Sequence, residues 1–341
     1  MDSLSQIALG AAVSVAVFRR KQPLWQSAML GAVVGTLPDL DVLISHGDPI
    51  SDMTYHRAQS HSLFYLTLLS PVLAWLWLKI TGGRQLFRQS LLAIWLVLIT
   101  HPLLDVLTIY GTQLGLPFTD YPYGIGSIFV IDPLYTLPLL LGIGLTLARQ
   151  RLGWNSVGLL LSTGYLGFGL VAQHHVTQLA QQQLPTTNPN AKLLVTATPF
   201  NTVLWRMLLV EEGQYFEGYY SLLDKTAAIQ WHAYPRDEAL LQQWQQQTSV
   251  ARLNWFSHGF VTLTQRSTDT LVLTDLRMGM EPDYSFRFAL PLDSQQQING
   301  LPTQLEMPRD EQAFRWLYQR ALAKTELSLK HYTQQQSFTA K

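Results

Sequence analysis

The chain has 341 residues, 23 Lys and Arg against 23 Asp and Glu, and no cysteine. Zero formal net charge leaves no bulk field to draw in nucleic acid, and the missing thiols exclude disulfides and thiolate chemistry. Only 13% of residues are charged, against about 25% in an average soluble domain, while 48% are hydrophobic and mean hydropathy is +0.09; a membrane half and a soluble half are expected.

Six apolar segments follow one another: Leu4–Phe18, Leu24–Leu37, Leu63–Ile80, Leu91–Tyr110, Ile131–Ala148 and Val157–Ala172. A helix crosses a bilayer upright with about 20 apolar residues, within a range of about 17–25. The third, fourth and fifth meet that range and the sixth nearly does. The first two fall short, which leaves a helical hairpin packed among the others or a locally thinned bilayer. Buried core helices of a soluble protein are the alternative, and the length and low charge of the third and fourth runs speak against it. Arg19, Arg20 and Lys21 follow the first apolar stretch instead of preceding it, so no cleavable signal peptide is expected.

Basic residues in short loops set orientation. The odd-numbered connections carry Arg19, Arg20, Lys21, Lys79, Arg84, Arg88, Arg149 and Arg151, whereas the even-numbered ones carry only Arg57. With six crossings this predicts an outer N-terminus, cytoplasmic odd loops and an extracytoplasmic C-terminal domain. Asp39, Asp41, His56, His61, His101, Asp105, Asp120 and Asp132 then gather at the outer face.

Glutamine, proline, asparagine and threonine in Gln181–Pro189 read as a linker, giving a membrane domain over 1–178 and a second domain over 190–341. Strands are expected at Lys192–Thr198, Thr202–Glu211, Gln214–Leu223, Arg252–Arg266, Thr270–Arg277 and Tyr284–Leu290, with a turn at Glu212-Gly213. Helices are expected at Arg236–Gln247 and Asp310–Lys324, the latter with Ala313, Phe314, Leu317, Tyr318 and Leu322 at helical spacing. The second domain is therefore α+β with an antiparallel sheet.

His101 and Asp105 lie four apart on a helix and share a face, where they can bind one cation or the carboxylate can orient the imidazole. Asp39 and Asp41, two apart after Pro38, would diverge on a helix, so the chain is expected to leave helix there and let both approach one centre. Two such carboxylates repel unless a cation holds them or one is protonated. His56 and His61, five apart, lie at the mouth of the third segment, where Ser60 or Ser62 can cap it. Arg57 between them suits a phosphate or carboxylate on a substrate, or a lipid head group. Ionisable groups within membrane segments are costly, which favours a functional reading. Mixed imidazole and carboxylate donors suit Zn, Mn or Fe over Ca or Mg, and a centre with open positions delivers hydroxide to an electrophile. His174 and His175 end the sixth segment on the outer side, where they could join the site but fit a juxtamembrane interface role better, and His232, His258 and His331 lie in the soluble domain without matching carboxylate spacing. No Gly-rich phosphate loop, serine-nucleophile elbow or nucleic-acid motif occurs.

Met1-Asp2-Ser3-Leu4 with Gly10-Ala11-Ala12, Gly35-Thr36-Leu37-Pro38-Asp39-Leu40-Asp41, His56-Arg57-Ala58-Gln59-Ser60-His61-Ser62 and His101-Pro102-Leu103-Leu104-Asp105 resemble the bacterial YdjM-like family over roughly residues 1–175. Its members are described as inner-membrane metal-dependent hydrolases. The resemblance implies Asp39, His56, His61, His101 and Asp105 as ligands, with Asp41 less firmly among them. Together these readings predict about six membrane segments and then a soluble α+β domain. They also predict a divalent-metal hydrolase, with Zn or Mn, at the outer face of the inner membrane. A lipid or lipid-linked ester or phosphoester is the expected substrate. Asp41 is expected as ligand or general base, and Arg57 as the group that meets substrate charge. The competing expectation is a non-enzymatic protein: an ion- or proton-coupled transporter, or a partner-binding scaffold.

Overall fold

Asp2 opens the first helix, its carboxylate accepting from the Ser5 amide (3.1 Å) and hydroxyl (2.5 Å), and α1 runs Ser3–Phe18. The computed structural model describes residues 1–295, 297–307, 311–325 and 332, so His331 and Asp310 lie outside the described residues. The chain divides into two compact units, Met1–Ile44 with Tyr55–Leu170, and Ser45–Thr54 with Val171–Lys341.

In the first unit α1 is followed by α2 (Leu24–Thr36), α4 (Leu63–Thr81), α5 (Phe87–Val106), α6 (Pro133–Arg149) and α7 (Gly153–Gln182) as far as Leu170, while the short α3 (Pro49–Tyr55) belongs to the second unit up to Thr54. Its core joins Phe18 of α1, Leu30 and Val34 of α2, Leu66 and Trp77 of α4, and Ile94 and Leu98 of α5. The α1–α2 contact rests on missing side chains. A Cβ on Gly10 would lie 2.2 Å from the Gly31 carbonyl oxygen, one on Gly31 2.0 Å from that of Gly10, and one on Gly35 2.8 Å from that of Gln6. Gly31 and Gly35 form the small-residue spacing that lets helices meet backbone to backbone where apolar surroundings supply no other drive.

The expectation of about six crossings is corrected here. Among the described residues three helices, α4, α5 and α7, are long and apolar enough to cross a membrane. α1, α2 and α6 have 16, 13 and 17 residues and are shorter than those three. The fifth expected segment begins only at Pro133 and stops at Arg149, while the sixth lengthens to 30 residues by continuing through the Gln-rich stretch beyond Ala172.

In the second unit, Ala172, Val176 and Ala180 at the end of α7 pack against Val195, Trp205 and Met207. These belong to a four-stranded antiparallel sheet of β1 (Lys192–Ala197), β2 (Leu204–Glu211), β3 (Gln214–Ser221) and β4 (His232–Pro235), in that spatial order. Glu211 pairs with Gln214, so the expected turn at Glu212-Gly213 closes the β2–β3 hairpin, with Gly213 at φ +81. Two helices follow, α8 (Glu238–Trp244) and α9 (Thr248–Phe256). Arg252–Phe256 was expected to be strand, but it lies in α9; only Val261–Ser267 becomes β5. β6 (Thr270–Asp275), β7 (Gly279–Met280), β8 (Asp283–Tyr284), β9 (Arg287–Pro291) and β10 (Thr303–Gln304) complete the strands, with a second sheet in the order β10-β9-β6-β5 and a β7–β8 pair. α10 (Glu311–Ala321) follows.

Glu217 on β3 is the polar centre of this unit. Buried with Arg206, it accepts from Arg206 Nε (3.1 Å), Tyr219 Oη (2.9 Å), Tyr284 Oη (2.7 Å) and the Glu281 amide (3.2 Å). Arg206 also donates to the Leu276 carbonyl at 2.9 Å.

Two variants check these contacts. Gly31→Leu forces a side chain into the Gly10 backbone and is expected to destabilise the helical unit by about 1–3 kcal/mol or more. An unchanged thermal midpoint in detergent, followed by circular dichroism, would refute the contact. Glu217→Ala strands a buried guanidinium and is expected to cost about 3–5 kcal/mol, read by chemical denaturation with tryptophan fluorescence.

Candidate metal centre

Pro38 ends α2 and carries the chain into a 3₁₀ turn over Pro38–Leu43. A second 3₁₀ turn, Gln59–His61, leads into α4, whose first amides are met by Ser62. α5 contributes His101 and Asp105 one turn apart, with Pro102 buried between them. These three elements bring together Asp39, His61, His101 and Asp105, whose donor atoms all lie within 4.8 Å of one another.

The distances are close to uniform. His61 Nε2 and His101 Nε2 are 3.1 Å apart. Asp39 Oδ1 is 3.4 Å from each, and Asp105 Oδ2 lies 3.2 Å from His61 and 3.3 Å from His101. A tetrahedron with metal–ligand bonds of about 2.0–2.1 Å has edges of about 3.3–3.4 Å. Five edges of the cluster fall near that length.

Proton positions follow from the partners. His101 Nδ1 lies 2.7 Å from the Gly35 carbonyl, which can only accept, so Nδ1 carries the proton and Nε2 a lone pair. Ser60 Oγ donates to Asp41 Oδ2 at 2.5 Å and accepts from His61 Nδ1 at 2.9 Å, leaving His61 Nε2 unprotonated as well. Asp39 Oδ1 and Asp105 Oδ2 are buried and have no hydrogen-bond donor. Four lone pairs thus face one another in a buried place, an arrangement that repels unless a cation is shared. The residues present fit a divalent metal, and each imidazole is oriented through its other nitrogen as metal-binding histidines are.

Asp105 Oδ1, the oxygen turned away from the histidines, takes the Met1 amino group and Arg57 Nη2, the latter at 3.3 Å. Burial lowers the Met1 amine, and Arg57 adds to this against the pull of Asp105. Burial raises the Asp39 carboxyl, but the neighbouring His101 and His61 outweigh it and hold it below the usual carboxylate range.

The other expected site residues lie around this core. Asp41 is directed elsewhere: Oδ1 accepts from His56 Nδ1 at 2.7 Å, and Oδ2 accepts from Ser60 and from the Arg57 amide at 3.0 Å. Burial raises its pKa, yet these donors bring it below the ordinary value. His56 stands outside the four-residue cluster, its ring edge-on to Tyr110 (5.6 Å) and 6.0 Å from His61. Arg57 is only 4% exposed, sits 4.7 Å over the Tyr110 ring and holds a left-handed backbone at φ +66. Asp132 caps α6 through the Leu134 amide and accepts from Tyr165 Oη.

Sequence reasoning gave no role to Met1, to the Gly35 carbonyl, or to Ser60 as the link between His61 and Asp41. Gly35 and Ser60 both sit inside the quoted motifs, where a glycine ending a small-residue spacing was the available signal.

A helical unit with three membrane-length helices and a buried His/Asp cluster defines a membrane protein with a candidate metal centre. Residues 1–176, just over half of the chain, match the family described as YdjM inner membrane protein, and the chain belongs to that family. No curated protein and no solved structure matches it.

Adding zinc or manganese to metal-free protein at one hundred times the dissociation constant is expected to stabilise it by about 2.7 kcal/mol. The thermal midpoint of His101→Asn should be insensitive to either ion. A wild type that is equally insensitive would dispose of the centre.

Proposed function

We propose that this protein is a divalent-metal-dependent hydrolase of the inner membrane, with its centre at the outer face and a lipid-like ester or phosphoester as substrate. The observation that carries the reading is the convergence of four buried lone pairs on Asp39, His61, His101 and Asp105. A divalent ion held by all four would, by expanding to five-coordinate, polarise a substrate oxygen or lower the pKa of a bound water.

The chain's own residues divide the remaining work. Gly35, and Ser60 with Asp41, orient the two imidazoles, while Arg57 holds Asp105 from behind. Its burial against Tyr110 makes Arg57 a positioning residue in this scheme instead of the group that meets substrate charge. His56 donates Nδ1–H to Asp41 and so keeps a lone pair on Nε2. With its side chain 20% exposed, it is placed to take the proton from water, and Asp41 steadies the imidazolium that forms. His56 thus acts as the base instead of as a ligand.

Sidedness follows from charge. α1 runs from the cluster to Arg19 and Arg20, α5 from Arg88 to His101, and Arg20 Nη2 donates to the Gln150 carbonyl at 2.5 Å. The basic residues therefore collect at the helix ends away from the cluster, which supports a cytoplasmic basic end and an outer site. α7 starts at the basic end, just after Arg151, so the same rule favours an extracytoplasmic C-terminal unit, with the 17-residue α6 returning the chain across a locally thinned bilayer. A lipid-like substrate is supported by the exposed Leu40, Val42, Leu43 and Ile44, which adjoin Asp39 and Asp41. A transporter or relay of protons or cations needs titratable groups continuing through the bundle, whereas the polar residues buried toward its basic end among those described, such as Ser14, Ser27, Ser90 and Asn155, are uncharged.

Elemental mass spectrometry and hydrolysis of a panel of lipid esters and phosphoesters test the scheme together. His101→Asn should lose both metal and activity, whereas His56→Asn should keep the metal and lose about 100-fold or more in rate, the usual contribution of a base. Metal loss in His56→Asn would make it a ligand. A metal-loaded wild type inert across the panel would move the reading to a scaffold or relay.

A further inference from the structure

The C-terminal unit turns five large apolar side chains outward together. Phe200, Leu223, Phe314, Tyr318 and Leu322 are 40%, 54%, 54%, 64% and 37% exposed, and they border a trough of about 310 Å³ lined by no charged residue among those described. α10 buries Trp316 and Leu317 in the core of the unit, whereas Phe314 and Tyr318 stay exposed and give it a second apolar face. Phe200 stacks on Phe314 at 6.1 Å and is held at φ +70, a left-handed conformation that is costly for a bulky residue. A strained backbone that presents an aromatic ring to solvent points to a surface with an occupant.

The rim says what kind. Lys324 Nζ lies 5.7 Å over the Tyr318 ring, and the exposed Lys225 and Arg315 follow the trough residues Leu223 and Phe314 closely in the chain. Among the described residues, Asp224 is taken by both terminal nitrogens of Arg320 at 2.7 Å, which leaves Glu311 as the exposed carboxylate on α10. Aromatic and aliphatic side chains ringed by cations match the boundary between acyl chains and anionic head groups.

We infer that the face formed by Phe200, Leu223, Phe314, Tyr318 and Leu322 docks into the interface of an anionic phospholipid bilayer. This is a membrane contact separate from the helices that cross. It is independent of the metal centre and of any hydrolytic activity.

The cysteine-free sequence makes the test direct. Nitroxide labels are placed singly on Tyr318→Cys, Leu223→Cys and, as a water-facing control, Gln265→Cys, in the full-length protein reconstituted into vesicles. Half of the preparations contain phosphatidylglycerol and half contain only phosphatidylcholine. In phosphatidylglycerol vesicles, oxygen should relax the labels at 318 and 223 more strongly than a water-soluble nickel chelate, with the order reversed at 265. That preference should weaken in phosphatidylcholine. A nickel preference at 318 and 223 overturns the proposal by placing the face in water. Labels reached by neither reagent overturn it in favour of a protein cover, whether a second copy or another segment of this chain. An oxygen preference that is the same at 265, or unchanged without phosphatidylglycerol, overturns the assignment to an anionic interface.

Discussion

Four atoms that can only accept share a buried space a little over 3 Å across, and much of the helical unit is arranged around that conflict. Lone pairs so placed, out of water, have no favourable interaction with one another. Each is nevertheless held in position from outside: His101 by the Gly35 carbonyl, His61 by Ser60, and Asp105 by Arg57 and the Met1 amine. A fold that commits this many contacts to holding such groups together could hold a cation there, since a purely structural hydrogen-bond network would have turned one imidazole around to donate.

The glycines of α1 and α2 belong to the same arrangement. Gly35 reaches His101 because Gly10 and Gly31 let the two helices touch backbone to backbone, which brings the end of α2 down beside α5. Gln6 of α1 reinforces the register by donating to the His101 carbonyl at 3.2 Å. These two helices are shorter than the membrane-length ones, and their use is to set the height and angle of the residues that follow them. α4 and α5 form the wall against which that setting is made.

Much of this could be read from residue order alone. The apolar runs gave the helices, the Asp and His pairs gave the cluster's neighbourhood, and the β-branched stretches gave most strands of the second unit. What escaped depended on the backbone. His56 and His61 lie five apart and read as partners, but Arg57 between them adopts φ +66, and the 3₁₀ turn that follows directs their rings to different carboxylates. Nothing in an arginine announces a left-handed conformation. Asp39 and Asp41 part for a similar reason, since their spacing in a 3₁₀ turn sends one to the histidine pair and the other to His56. Helix length supports three crossings instead of six, because hydropathy does not mark where Pro133 starts a helix or how far glutamines prolong one. Arg252–Phe256 was misjudged because its aromatic and leucine content suits a strand as well as the short α9.

The order of the ligands along the chain bears on how such a protein is made. Asp39, His61, His101 and Asp105 all precede residue 106, whereas the sheets of the second unit begin only at Lys192. Chains emerge from the ribosome N-terminus first, and early portions fold before later ones exist. A nascent chain that has inserted α5 already holds every donor atom of the centre, with the soluble strands still unsynthesised. Capture of an ion at that moment would cross-link two 3₁₀ turns and a helix into one body during biosynthesis, so metal supply in the compartment facing the site would govern the yield of folded protein as well as its finished chemistry.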